Sequence, residues 1–178
     1  MHIIIDGYNL IRQSDTLRRY ERVSLEEGRK ALINTISLYK KQREHKVTIV
    51  FDGWEGGSAE EERDRISGIT IIYSRKGVKA DDVIKRMIQK RDEEILVVTS
   101  DRNIADFVSH RGGTAISSPE FEKLISSVKT GTPDPKPHSE GRYNKDEDDE
   151  TKAGIKKKGP SRRLSRKEKT AMARIRKL

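Results

Sequence analysis

Four short apolar runs, each followed by a polar turn that carries an acid, constrain this chain more than any other feature. His2-Ile3-Ile4-Ile5 runs into Asp6-Gly7-Tyr8-Asn9, and Val47-Thr48-Ile49-Val50-Phe51 runs into Asp52-Gly53. Ile69-Thr70-Ile71-Ile72-Tyr73 leads through Ser74-Arg75-Lys76-Gly77 to Lys79-Ala80-Asp81-Asp82, and Ile95-Leu96-Val97-Val98 ends in Thr99-Ser100-Asp101. The runs are β-branched and continuous instead of alternating, the mark of strands buried on both faces.

Helical patterns lie between the runs. Ser24 and Glu27 have capping-box spacing and open a helix with Ala31, Leu32, Ile36, Leu38 and Tyr39 on its apolar face, running to about Arg43. Further helices are expected after Ala80 (Val83, Ile84, Met87, Ile88) and over roughly 102–110 (Ile104, Phe107, Val108). A last one, with Pro119 in its first turn, carries Phe121, Leu124 and Ile125 and follows a fifth short strand, Thr114-Ala115-Ile116. Residues 10–23 read as polar and irregular, and 54–68 as a loop. Strand–helix alternation of this kind predicts an α/β fold: a three-layer, Rossmann-like arrangement around a central, mainly parallel sheet. Right-handed crossovers then bring every strand-end acid to one edge.

Charge divides the chain further. Residues 1–128 are nearly balanced, whereas 151–178 hold 12 Lys and Arg against a single acid. Three segments follow: a domain over 1–128, a Pro-, Gly- and charge-rich linker over 129–160, and a basic tail of helical periodicity over 161–178. In that tail Leu164, Ala171, Ile175 and Leu178 form a thin apolar stripe among Arg162, Arg163, Arg166 and Lys167, too narrow to fold without a partner. A basic arm on a neutral domain points to a polyanion, with nucleic acid or the ribosome as the expected partner. No apolar run approaches the roughly 20 residues of a membrane span. The absence of cysteine excludes disulfides and thiolate chemistry, and with no signal peptide in view the expected location is the cytoplasm.

The acids Asp6, Asp52, Asp81, Asp82 and Asp101 carry the chemistry. Carboxylates gathered at one edge repel unless cations sit between them, and hard oxygen donors select Mg²⁺ or Mn²⁺. Such ions activate water toward a phosphodiester. Each acid also has a purely local reading: Asp-Gly turns at Asp6 and Asp52, and helix caps or first-turn acids at Asp81, Asp82 and Asp101. Asn9, Ser100 and Asn103 are candidate supporting groups, equally readable as turn residues. Tyr8 and Trp54 flank the acids and could stack bases, while Arg75, Lys76 and Lys79 could guide phosphates. The four histidines lack metal-ligand spacing, and no phosphate-binding glycine loop or nucleophile elbow is present.

In this order and spacing, Asp6-Gly7-Tyr8-Asn9, Phe51-Asp52-Gly53, Ala80-Asp81-Asp82 and Thr99-Ser100-Asp101 resemble the YacP-like branch of the NYN domains, relatives of the PIN nucleases. The resemblance covers roughly residues 1–128. It implies a PIN-type fold and a metal-dependent ribonuclease, in a branch that includes a ribosome-associated endoribonuclease acting on mRNA. By motif match Asp6, Asp81, Asp82 and Asp101 would hold Mg²⁺ or Mn²⁺, with Asp52 and Asn9 in support. The expected substrate is RNA, mRNA or rRNA, with no preference for DNA. Two other readings stand beside this one: a non-catalytic RNA- or ribosome-binding protein on the same fold, and a small-molecule phosphatase. The phosphatase reading is disfavoured because no D-x-D-x-T motif is present.

Overall fold

The computed structural model describes residues 1–53, 58–89, 93–130, 173–175 and 177–178, with only the backbone of 127–130. In chain order its elements are β1 (His2–Asp6), α1 (Gly7–Gln13), α2 (Asp15–Glu21), α3 (Leu25–Lys40), β2 (Lys46–Phe51), β3 (Glu62–Ile66) and β4 (Ile69–Tyr73). These are followed by α4 (Ala80–Gln89), β5 (Ile95–Val98), α5 (Arg102–His110), β6 (Thr114–Ile116) and α6 (Ser118–Thr130). The six strands form one sheet in the order β3-β4-β2-β1-β5-β6. All neighbours are parallel except β3 and β4. The α/β reading therefore holds.

The continuous apolar strands are explained by a core on each face. Ile3 and Ile5 of β1 face one layer and Ile4 the other, as the two-residue period of a strand requires. The first layer joins Leu10, Ile11, Leu17, Leu32, Ile36, Phe121 and Ile125 from α1, α2, α3 and α6. The second joins Val83, Ile84 and Ile88 of α4 with Ile104 and Val108 of α5. Each such side chain contributes about 1.5–3 kcal/mol on burial. β1 is therefore inaccessible on both faces, and only its carboxyl end can carry chemistry.

Two expectations about irregular segments fail, for different reasons. Residues 10–23 are mostly helical. Asp6 caps α1, and Ser14 both ends α1 and caps α2 by accepting from the Leu17 amide at 3.1 Å. The short helices meet the core through Tyr8, Leu10, Ile11 and Leu17, so no long periodic stripe betrays them. Within 54–68, residues 62–66 form β3, an edge strand joined to β4 by a two-residue turn. Ser67 and Gly68 there both take positive φ, 52° and 76°, the geometry of a type I′ hairpin. β3 is exposed along its whole length and reads Glu-Arg-Asp-Arg-Ile, so it carries no hydrophobic pattern. Charge at an edge strand also blocks pairing with another chain.

The end of the chain packs on the domain. Leu178 is 5% exposed within the first core layer, with Ile175 against it. Arg174 donates to Glu94 Oε1 at 3.0 Å, to the Gly112 carbonyl at 2.7 Å and to Thr114 Oγ1 at 3.1 Å. The Lys177 carbonyl lies 3.1 Å from His45 Nε2. Glu94, Thr114 and His45 all lie by the amino ends of strands, the pole opposite the acids. For Ile175 and Leu178, then, the partner that the thin stripe needs is the domain itself. Leu164, Ala171 and the basic residues Arg162, Arg163, Arg166 and Lys167 lie outside the described residues.

Candidate active site at the carboxyl edge of the sheet

β1 lies mid-sheet between β2 and β5. From it the chain builds outward through β2 to β4 on one side, then crosses back to β5 and β6 on the other. The point where strand order reverses leaves a crevice at the carboxyl ends, where open α/β sheets bind ligands. Asp6, the last residue of β1, sits there.

Three of the five acids are held by a backbone amide. Asp6 Oδ1 accepts from the Asn9 amide at 3.2 Å as the N-cap of α1. Asp52 Oδ1 accepts from the Ala80 amide at 2.5 Å, tying the end of β2 to the start of α4. Asp101 Oδ1 accepts from the Asn103 amide at 2.7 Å as the N-cap of α5. Asp81 and Asp82 occupy the first turn of α4. The local readings hold for Asp101 as a cap and for Asp81 and Asp82 as first-turn acids, whereas Asp6 caps a helix instead of making an Asp-Gly turn and Asp52 reaches across to α4.

Their convergence is seen in their electrostatics. Asp6 is buried, and its carboxyl is pushed up to about 6. Burial is the largest cause; the Asn9 amide opposes it, and the charges of Asp81, Asp52 and Asp101 raise it further. Asp81 is also raised, first by burial and then by Asp101 and Asp52, with Lys85 and Lys79 opposing. Three strand ends and one helix start therefore share a single field. Asp82, next to Asp81 in sequence, is exposed.

Close backbone approach explains the glycines of two motifs. A Cβ on Gly7 would lie 2.3 Å from the Phe51 ring, and one on Gly53 would lie 1.8 Å from the Ser74 carbonyl oxygen. Ser74 is buried; its hydroxyl donates to the Val78 carbonyl at 2.5 Å and accepts from the Gly53 amide at 2.7 Å. This brace holds the end of β2 against the loop that delivers Asp81.

Asn9 links the other half of the edge. Its Oδ1 accepts from the Ser100 amide at 2.9 Å and from the Ser118 hydroxyl at 2.9 Å. That fixes the orientation of the amide and joins the start of α1 to the end of β5 and to α6. Ser100 Oγ accepts from the Ser118 amide at 3.3 Å, and Asn103 contributes its backbone to the Asp101 cap. Arg75, Lys76 and Lys79 are exposed on the loop before α4, whereas Trp54 lies outside the described residues.

Tyr8 is not an exposed stacking surface. It is 7% exposed and packs edge-on against Phe51, with ring centroids 5.2 Å apart. The expectation of an open base platform at this residue gives way because α1 starts immediately after Asp6 and carries the ring into the core. Two residues that the sequence did not mark for this site join Tyr8. Tyr73 stacks on Phe51 at 5.6 Å, and Arg29 of α3 donates from Nε to the Tyr8 hydroxyl at 2.8 Å. Nothing in their local sequence marks them, since Arg29 lies on a helix whose polar face carries many charges.

A metal at this edge has the right donors: anionic oxygens, buried in part, whose charges raise one another's protonation. Among the described residues no group of three or more acids, cysteines or histidines is placed so that it could hold a metal ion. Mg²⁺ seldom uses an all-protein cage; it is commonly held by one or two carboxylates, with waters and substrate phosphates completing its shell. The donor set therefore fits such an ion, and Asp6 and Asp81 are the side chains best placed to hold it.

A mostly parallel sheet with a carboxylate-lined carboxyl edge is the architecture of the PIN-like NYN domains, a nuclease class that acts on RNA and generally uses divalent metals. The crystal structure of Rae1 (YacP) from Bacillus subtilis shares the fold, with a TM-score of 0.61 at 24% identity over 74% of this chain and 76% of that one. A mutant of the same protein superposes equally, with a TM-score of 0.61 at 22% identity over 74% and 77% of the two chains. The chain belongs to the YacP-like NYN domain family, whose model matches residues 3–177. A curated relative, the uncharacterized protein YacP of Bacillus subtilis (strain 168), is 24% identical over 130 residues, 71% of this chain and 76% of that protein. The family match runs well beyond residue 128, in keeping with the return of the chain's end to the domain. No helix among the described residues is long and apolar enough to cross a membrane.

Proposed function

We propose that this protein is an endoribonuclease that hydrolyses RNA phosphodiester bonds with Mg²⁺ or Mn²⁺. The observation that supports the reading is the convergence of Asp6, Asp81, Asp52 and Asp101 on one edge, where burial first and then the charges of the other three lift Asp6 to about 6. Asp6 and Asp81 would hold the metal, with Asp101 and Asp82 as the further carboxylates available to it. When bound, the cation neutralises these charges and supplies an activated water and a counter-charge for the departing oxygen. The chain's own groups do the positioning. Asp52 sets the start of α4, and so Asp81, through the Ala80 amide. Asn9, with Oδ1 engaged by Ser100 and Ser118, presents its amide nitrogen for a phosphate oxygen. Arg75, Lys76 and Lys79 draw the RNA backbone to the edge.

The positive charge of 151–178 recruits the substrate, either RNA alone or RNA on a translating ribosome in the cytoplasm. The test is sequencing of RNA ends after incubation with wild-type and Asp81→Asn protein, on free RNA and on translating ribosomes, with Mg²⁺ or Mn²⁺. New ends with the wild type alone are expected, and their restriction to ribosomes would identify the assembly as the substrate. Identical end profiles from the two proteins, with RNA binding intact, would replace the nuclease with a non-catalytic binder.

A further inference from the structure

A cation is built into an aromatic wall whose rings lie at the same strand ends as the acids, and neither the cap geometry nor the acid cluster requires it. The guanidinium carbon of Arg29 is 5.6 Å from the ring centre of Tyr8, 5.9 Å from that of Phe51 and 5.4 Å from that of Tyr73. All three distances lie within the range of cation–π attraction. Nε is used by the Tyr8 hydroxyl at 2.8 Å, and among the described residues no carboxylate forms a salt bridge with Arg29. The two terminal nitrogens therefore retain donors.

The position of the wall is set by the acids' own strands. Tyr8 is two residues after Asp6, and Phe51 immediately precedes Asp52. Tyr73, the last residue of β4, is the register partner of Phe51. The three rings close one side of the carboxyl edge, with Arg29 half-buried against them. Arginine suits such a place: its charge persists at every physiological pH, its plane matches two phosphate oxygens, and it is weakly hydrated. A guanidinium already oriented by three rings and a hydroxyl loses little freedom on taking a ligand.

We infer that Arg29 is a phosphate-binding residue of the active edge, gripping the RNA backbone next to the carboxylates so that the strand is held despite their negative charge. This rests on the ribonuclease reading and adds to it the residue that offsets repulsion between acids and substrate. A purely structural Arg29, fastening α3 to the sheet, is the competing account.

Binding of a single-stranded RNA oligonucleotide separates the two. Affinity is measured against salt in an Asp81→Asn background, which keeps the RNA intact, for Arg29 itself, Arg29→Lys and Arg29→Met. Loss of one phosphate contact lowers the slope of log affinity against log salt by about 0.7. The Met variant is expected to show that drop, with affinity weaker by about tenfold, and the Lys variant to recover the slope but not the full affinity. Melting temperatures are read on the same samples. An unchanged slope in the Met variant, or full parental affinity in the Lys variant if Met does not fold, would overturn the assignment of Arg29 while leaving RNA binding in place. A parent protein that binds no RNA would overturn the ribonuclease reading, and this inference with it.

Discussion

Replacing Asp6 with Asn is expected to make the protein more stable and inactive at once. Asp6 is buried, and its carboxyl is lifted from 3.8 to about 6. At roughly 1.4 kcal/mol per pH unit, holding it ionised at neutral pH costs the folded state about 3 kcal/mol. The sign follows from proton binding. Between the unfolded and folded values the folded state binds more protons, so stability falls as pH rises from about 4 through 6 and is flat above. Asn has no such charge and caps a helix about as well as Asp, so the bond from the Asn9 amide survives. Part of the gain is returned because a buried amide must also be solvated or bonded. The net expectation is about 1–3 kcal/mol of added stability at pH 7.5 and almost none near pH 4. Urea unfolding of both proteins from pH 4.5 to 7.5 in EDTA measures it. A difference that does not grow with pH, or an Asn variant less stable than wild type at pH 7.5, would refute the argument. Millimolar Mg²⁺ should then stabilise the wild type more than the variant, by up to about 2.7 kcal/mol at a hundredfold excess over Kd.

Three further outcomes are expected. Asp81→Asn should lose more RNA-cleaving activity than Asp82→Asn in parallel rate measurements, since Asp81 shares the field of the buried acids and Asp82 is exposed; equal losses would place both carboxylates on the metal alike. Leu178→Ala should cost about 2–3 kcal/mol in thermal or denaturant unfolding, because the side chain is 5% exposed in the core; an unchanged midpoint would mean that the chain's end does not dock. Tyr39→Phe should leave stability unchanged or raise it by about 1 kcal/mol, since the buried Tyr39 hydroxyl has no hydrogen-bond partner among the described residues, and a loss above 1 kcal/mol would reveal one.

Much of the architecture could be read before any coordinates. Five of the six strands, their parallel pairing and the four longer helices follow from runs that are apolar throughout or periodic at helical spacing, because burial on both faces leaves that mark in composition. β3 left none, since an exposed edge strand is held by backbone bonds to β4 and its side chains answer only to water. α1 and α2 were hidden for a related reason: two turns of helix need only a cap and two or three apolar contacts, too few to show a period.

At the site, the sequence by itself determined which groups carry charge and that each follows a strand, because the motif glycines and caps are local. Whether four carboxylates share one field was decided by tertiary structure, since β5 reaches β1 only after the chain has built the other side of the sheet. The box around Arg29 and the docking of Leu178 are likewise tertiary. Residues from separate strands and helices meet there through packing, and packing preferences leave no fixed spacing along a chain.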